Sequence, residues 1–130
     1  MTQISLLLTA FLFGGMVLYS FGFAAIAFHA LPAKTAGGLL RAAFPWFYLF
    51  VIVTGAAGAL ATLSSSGRAA AYLAIIAVTA LFARQILMPA INAATDVGNK
   101  TRFNLLHGLS VVLTLGHIVL AAWVILQLAA

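Results

Sequence analysis

Few side chains in this sequence could do chemistry, and most of them recur at helical spacing. His29, His107 and His117 are the histidines, and Asp96 is the one acid. Imidazole can ligate a metal or haem iron, or move a proton near neutral pH. Asn104, His107, Ser110, Thr114 and His117 follow one another every three or four residues, which puts them along one stripe of an α-helix. Gln85, Pro89, Asn92 and Asp96 make a second stripe, with Arg84 beside it. The inventory excludes as much as it offers. A single carboxylate cannot build a paired acid–base centre or a di-iron carboxylate shell. The absence of Cys removes disulfides, iron–sulfur clusters, thiolate zinc sites and a thiol nucleophile. Met1, Met16 and Met88 show no spacing that suits copper.

What must position these residues is set by composition. Hydrophobic residues are 65% of the 130 and charged residues only 5%, whereas a soluble domain carries about 25% charged residues. The apolar residues are collected in runs. Residues 4–30, 42–63 and 103–128 hold no Lys, Arg, Asp or Glu, and residues 69–89 hold only Arg84. About 20 apolar residues cross a bilayer as a helix. The expected fold is therefore an all-α integral membrane four-helix bundle, one domain over residues 1–130, with helices at about 4–30, 42–63, 69–94 and 103–128. The first run is read as a helix of the mature protein. It has no basic residue ahead of it, it is too long for a signal peptide, and Leu31-Pro32 is not a small-residue cleavage site.

The connections carry the charge. Lys34 and Arg41 fall in the first, Lys100 and Arg102 in the third, and Arg68 alone follows the second. Short basic loops stay in the cytoplasm, so loops 31–41 and 95–102 are expected there, with both termini outside the inner (plasma) membrane. Trp46, Phe47 and Tyr48 are expected to open the second helix at the cytoplasmic interface. The net charge of +5 is scattered between spans, which suits anionic lipid headgroups and does not suggest a nucleic-acid partner. Pro32 and Pro45 read as helix boundaries, while Pro89 frees a carbonyl one turn earlier and predicts a kink around Gln85.

Polar groups inside spans are costly unless they face the bundle interior, so both stripes are expected to face inward. Gly15, Gly22 and His29 are seven residues apart, which sets His29 on the face of two glycines and toward the interior. Antiparallel first and fourth helices would bring His29 level with His107 and Tyr19 level with His117. The expected polar cluster is His29, Arg84, Gln85, Asn92, Asp96, Asn104 and His107, with Tyr19, Thr114 and His117 as secondary candidates. These groups could hydrogen-bond one another and tie the helices together. If a metal or haem is bound, His29 and His107 are the candidate ligands. Arg84 and Asp96 are about 18 Å apart along a straight helix, too far for direct contact, which leaves Arg84 to snorkel, bond a carbonyl or face a ligand. Gly55 and Ala59, with Gly58 and Ala61 beside them, allow close helix approach within the bundle or in a dimer.

Phe28-His29-Ala30-Leu31-Pro32, Ala36-Gly37, Phe44-Pro45-Trp46-Phe47-Tyr48, Pro89 and Phe103-Asn104-Leu105-Leu106-His107-Gly108-Leu109-Ser110 resemble the transmembrane protein 205-like family over nearly the whole chain. His-Gly-Leu-Ser is the most specific piece, and Thr114 departs from an Asn that the family more often carries. The resemblance implies a four-helix membrane protein, associated in animal relatives with platinum-drug resistance and export traffic, and supplies no catalytic residues. The functional expectation is a noncatalytic protein acting in transport or export, or as an accessory subunit, with no cofactor; a histidine-ligated haem or metal redox protein is the alternative. Four helices are few for a complete pathway, so a homodimer or a larger membrane complex is the expected assembly, surrounded by lipid.

Overall fold

The computed structural model of the chain describes residues 2–130. Within them it has four helices long and apolar enough to cross a membrane: α1 (Thr2–Ala30), α2 (Ala33–Thr62), α3 (Gly67–Asp96) and α4 (Lys100–Ala129). No strand occurs among the described residues. A helix keeps every backbone hydrogen bond within its own segment, which is what hydrocarbon demands. Thirty residues of helix are about 45 Å long against a hydrocarbon thickness of about 30 Å, so the helices reach past the apolar layer at their ends.

That excess accounts for the first correction. Residues 33–41, expected as a loop, are helical and continue into the apolar part of α2. Lys34, Thr35 and Arg41 depress the hydropathy there, but hydropathy marks only the part of a helix that lies in hydrocarbon. The connections shrink accordingly. Leu31 is extended, as the residue before Pro32 must be, and this stops α1 at Ala30. Ser66 caps α3 by accepting the Ala69 amide at 3.2 Å. Gly98, at φ +71°, takes the left-handed turn that ends α3, and Asn99 caps α4 by accepting the Arg102 amide. Trp46 is exposed about 20 Å along α2 at 1.5 Å per residue, and so does not open the helix, which starts at Ala33.

Each helix packs on its neighbours in sequence, and α1 closes the ring on α4. The α2–α3 seam is the most extensive. A Cβ built at Gly55 would stand 3.3 Å from the Ala77 Cβ and 3.4 Å from the Leu73 carbonyl oxygen, and one at Gly58 would stand 3.1 Å from the Leu73 side chain. These small residues therefore serve packing inside the chain. Leu12, Met16, Val51, Leu73, Ile76 and Val124, drawn from all four helices, are completely buried.

Three helices depart from regular geometry at a common level. Leu18–Phe23 in α1 and Ala83–Leu87 in α3 are wider π turns. The second answers Pro89, which has no amide to return to the Gln85 carbonyl. Pro45 lies inside α2, contrary to its reading as a boundary. All three lie about ten residues, roughly 15 Å, from the end of the bundle that carries the first and third connections. Beyond this level the ring opens. The close packing of α1 on α4 is confined to Thr2–Val17, Ala24–Ala30 packs on α2, and Met88–Asp96 packs on α4. The basic end is thus two helical hairpins, α1–α2 and α3–α4, that have parted.

The seam yields a test. Gly55→Leu should destabilise the folded protein by about 1–3 kcal/mol through overpacking, read from thermal loss of helicity in detergent. Gly38→Leu, where an added Cβ meets open space, should change stability little. Equal effects from the two would contradict the account of the seam.

Candidate functional site

The polar groups that the structure brings together lie deeper than the stripes suggest. His117, which is buried, meets Thr79 across the α3–α4 interface, with Nε2 at 2.6 Å from the Thr79 hydroxyl oxygen. That hydroxyl has one hydrogen and is also 2.6 Å from the Ile75 carbonyl oxygen. It donates to the carbonyl and leaves His117 to donate through Nε2–H. The Tyr48 side chain of α2 approaches that of Thr114 of α4 across the bundle. Tyr48, Thr79, Thr114 and His117 are thus a mid-bundle polar group spanning three helices. Thr114 and His117 come from the secondary candidates. Tyr48 and Thr79 were missed, although Thr79 is one of the few polar side chains in the run from Ala69 to Ala83.

At the irregular level, side chains bond to backbone carbonyls near Pro45. The Tyr19 hydroxyl donates to the Ala43 carbonyl at 2.8 Å, its ring set among Phe23, Phe44 and Phe47. Tyr19 therefore joins α2, where the sequence set it level with His117. Arg84 donates through Nε to the Pro45 carbonyl at 3.1 Å and through Nη1 to the Gln85 side-chain oxygen at 3.0 Å. This is the carbonyl-bonding alternative for Arg84. Ser20, in the π turn of α1, has a buried hydroxyl oxygen with no hydrogen-bond partner.

The seven-residue cluster is not assembled. His29, Gln85, Asp96, Asn104 and His107 are exposed, and only Arg84 and Asn92 are half-buried. Two physical causes stand out. The π turn inserts an extra residue between Gly15 and His29, and one residue rotates the remainder of the helix by about 100°, which breaks the seven-residue alignment. At the start of α4 the partly buried residues are Phe103 and Leu106, so Asn104 and His107 take the outer positions. The two registers merge only at Ser110, which is buried and donates to the His107 carbonyl at 2.7 Å. The His107 ring stacks on Phe103 of its own helix, 5.3 Å away and 6° from parallel. His29 and His107 belong to different hairpins, and the segment Ala24–Ala30 that carries His29 packs on α2. No group of three or more His, Asp or Glu able to hold a metal occurs among the described residues. Asp96 pairs with Arg41, a residue the cluster did not include, at 2.6 and 3.0 Å.

The Thr79–His117 contact predicts a coupling. Thr79→Val and His117→Leu should each destabilise the fold, and the double variant should cost less than their sum by about 0.6–1.7 kcal/mol, the range for hydrogen bonds between membrane helices. Strict additivity in detergent unfolding would show that the contact contributes nothing. Comparison with known proteins gives one result. No curated protein and no solved structure matches the chain. Residues 7–100, most of α1 and all of α2 and α3, match the domain of unknown function DUF4149. A match over more than half of the chain fixes the family: the protein belongs to the DUF4149 family.

Proposed function

We propose that this is a noncatalytic accessory subunit of the inner membrane that works in contact with other membrane-embedded helices, either those of a second copy or those of a larger complex. The observation that carries this reading is Gln85. Its amide is exposed on α3, engaged only by Arg84, about 16 Å from the basic end at 1.5 Å per residue. An amide at that depth faces lipid chains unless another helix covers it. Asn104 and His107, exposed on α4, extend the same need toward the basic end. The interior, by contrast, is filled mainly by apolar side chains, and its buried Ser and Thr hydroxyls, Ser20 apart, donate to backbone carbonyls. That favours a packing role over a water-lined path through one chain.

The basic end, with Lys34, Arg41, Lys100 and Arg102, is assigned to the cytoplasmic face by the distribution of positive charge, where anionic lipid headgroups are its immediate partners. Both termini then lie outside. Transport or export is the second reading. It is favoured by the parting of the two hairpins at one end only and by the resemblance of the His107-Gly108-Leu109-Ser110 segment to the transmembrane protein 205-like family.

A gentle extraction tests the subunit reading. Native-gel migration should show the chain in an assembly larger than one copy with its detergent. Gln85→Leu combined with His107→Leu should shift it to the single-chain position while helicity and thermal stability hold. An assembly unchanged by both substitutions, or a parent chain that already runs alone, would remove the basis for the proposal.

A further inference from the structure

The one acid of the sequence lies in a place where it can control the shape of the bundle. Arg41 of α2 reaches Asp96 at the end of α3 through two parallel hydrogen bonds, Nη1 to Oδ1 at 2.6 Å and Nη2 to Oδ2 at 3.0 Å. The two residues belong to different hairpins. Helix α2 packs closely on Gly67–Leu87 of α3 but not on Met88–Asp96, so at the basic end these helices are linked by side chains. Arg84 to Pro45 is the deeper link and Arg41 to Asp96 the outer one. Exposed ion pairs usually contribute little. This one is bidentate, the stronger geometry, and joins elements that lack other close contact.

We propose that the Arg41–Asp96 pair is a latch that holds the α1–α2 and α3–α4 hairpins together at the basic end, and that its release lets them part as far as the level of Arg84. The surrounding charge gives the release its direction. One hairpin presents Lys34 and Arg41, and the other presents Lys100 and Arg102 beside Asp96. Without the carboxylate, every charged side chain left on the two hairpins at this end is positive. The fold also supplies the hinge. The π turns Leu18–Phe23 and Ala83–Leu87 and the interrupted ladder at Pro45 lie at one level. Beyond them Leu12, Val51, Leu73, Ile76 and Val124 form a filled core that holds the four helices together. The latch rests on packing and charge alone and is independent of the subunit role.

The lack of cysteine makes the test clean, because an introduced thiol is the only one present. Ser110→Cys places a thiol at a buried position on the inner face of α4, to be labelled by a water-soluble maleimide in lipid nanodiscs that hold a single chain. Asp96→Asn in this background should raise the labelling rate several-fold. The charge exchange Arg41→Asp with Asp96→Arg should return it to the parent rate. At about 1 M salt, where the screening length falls to about 3 Å, the parent should label faster, whereas the Asp96→Asn variant, whose remaining like-charge repulsion is screened, should label no faster than at low salt. A thiol at Thr9, buried on the far side of the hinge, should stay unlabelled throughout. Equal rates in the parent and in Asp96→Asn, failure of the exchange to restore the rate, or labelling of Thr9→Cys together with Ser110→Cys would each overturn the latch. If Asp96→Asn does not fold, the salt response of the parent decides, and a parent rate indifferent to salt rejects the proposal.

Discussion

Between helices in hydrocarbon there is no water to expel, so association depends on how closely two backbones can approach and on what they exchange once there. In this chain the approach is made at Gly55 and Gly58 of α2, against Leu73 and Ala77 of α3. Their lack of side chains brings the two helices into contact along much of their length, and the rest of the bundle is arranged around that seam. Leu73 and Ile76 are carried to the axis, where Leu12, Met16 and Val124 meet them. The same approach places Arg84 within reach of the Pro45 carbonyl and Thr79 where α4 can offer His117.

The seam also explains why the two ends differ. Toward the second connection the small residues continue, with Ala61 against a cap region where Ser5 donates to the Ala61 carbonyl at 3.0 Å. Toward the basic end the sequence of α2 turns to Lys34, Thr35 and Arg41, and nothing comparable draws the backbones together. Charge replaces shape as the means of contact, and charged contacts answer to ionic strength and to neighbouring charges in a way that packed apolar surfaces do not.

The four helices were legible in the sequence because hydropathy and the bilayer thickness are two statements of one length. The start of α2 was not, because residues 33–41 are helical without belonging to an apolar run, and hydropathy marks only the apolar part of a helix. Periodicity served the site well where the helix was regular and was one of several competing registers elsewhere. His117 and Thr114 stand on a straight stretch of α4 and are in the interior group. His29 lies beyond a π turn that no residue of Leu18–Phe23 announces, and its face was misplaced. Asn104 and His107 belong to a register that competes with Phe103 and Leu106, and spacing alone does not say which is buried. Pro89 was the exception among the irregularities, since a missing amide points to the carbonyl it leaves free. Arg41 was unreadable as a partner for Asp96 because the pair spans 55 residues and depends on how two hairpins are set against each other.

The π turn of α1 has a bearing on the orphaned hydroxyl of Ser20 within it. A helix with one residue too many per turn behaves like a dislocation in a crystal. The surplus residue cannot disappear where it sits; it can only be handed along the chain, turn by turn, until it leaves through an end. Each step turns the segment it passes by about 100° and advances it about 1.5 Å. In α1 such a passage toward Ala30 would turn the face bearing His29 while the packed half, Thr2–Val17, stayed in place. A buried hydroxyl with no fixed partner belongs at such a defect, because it holds neither register against the other.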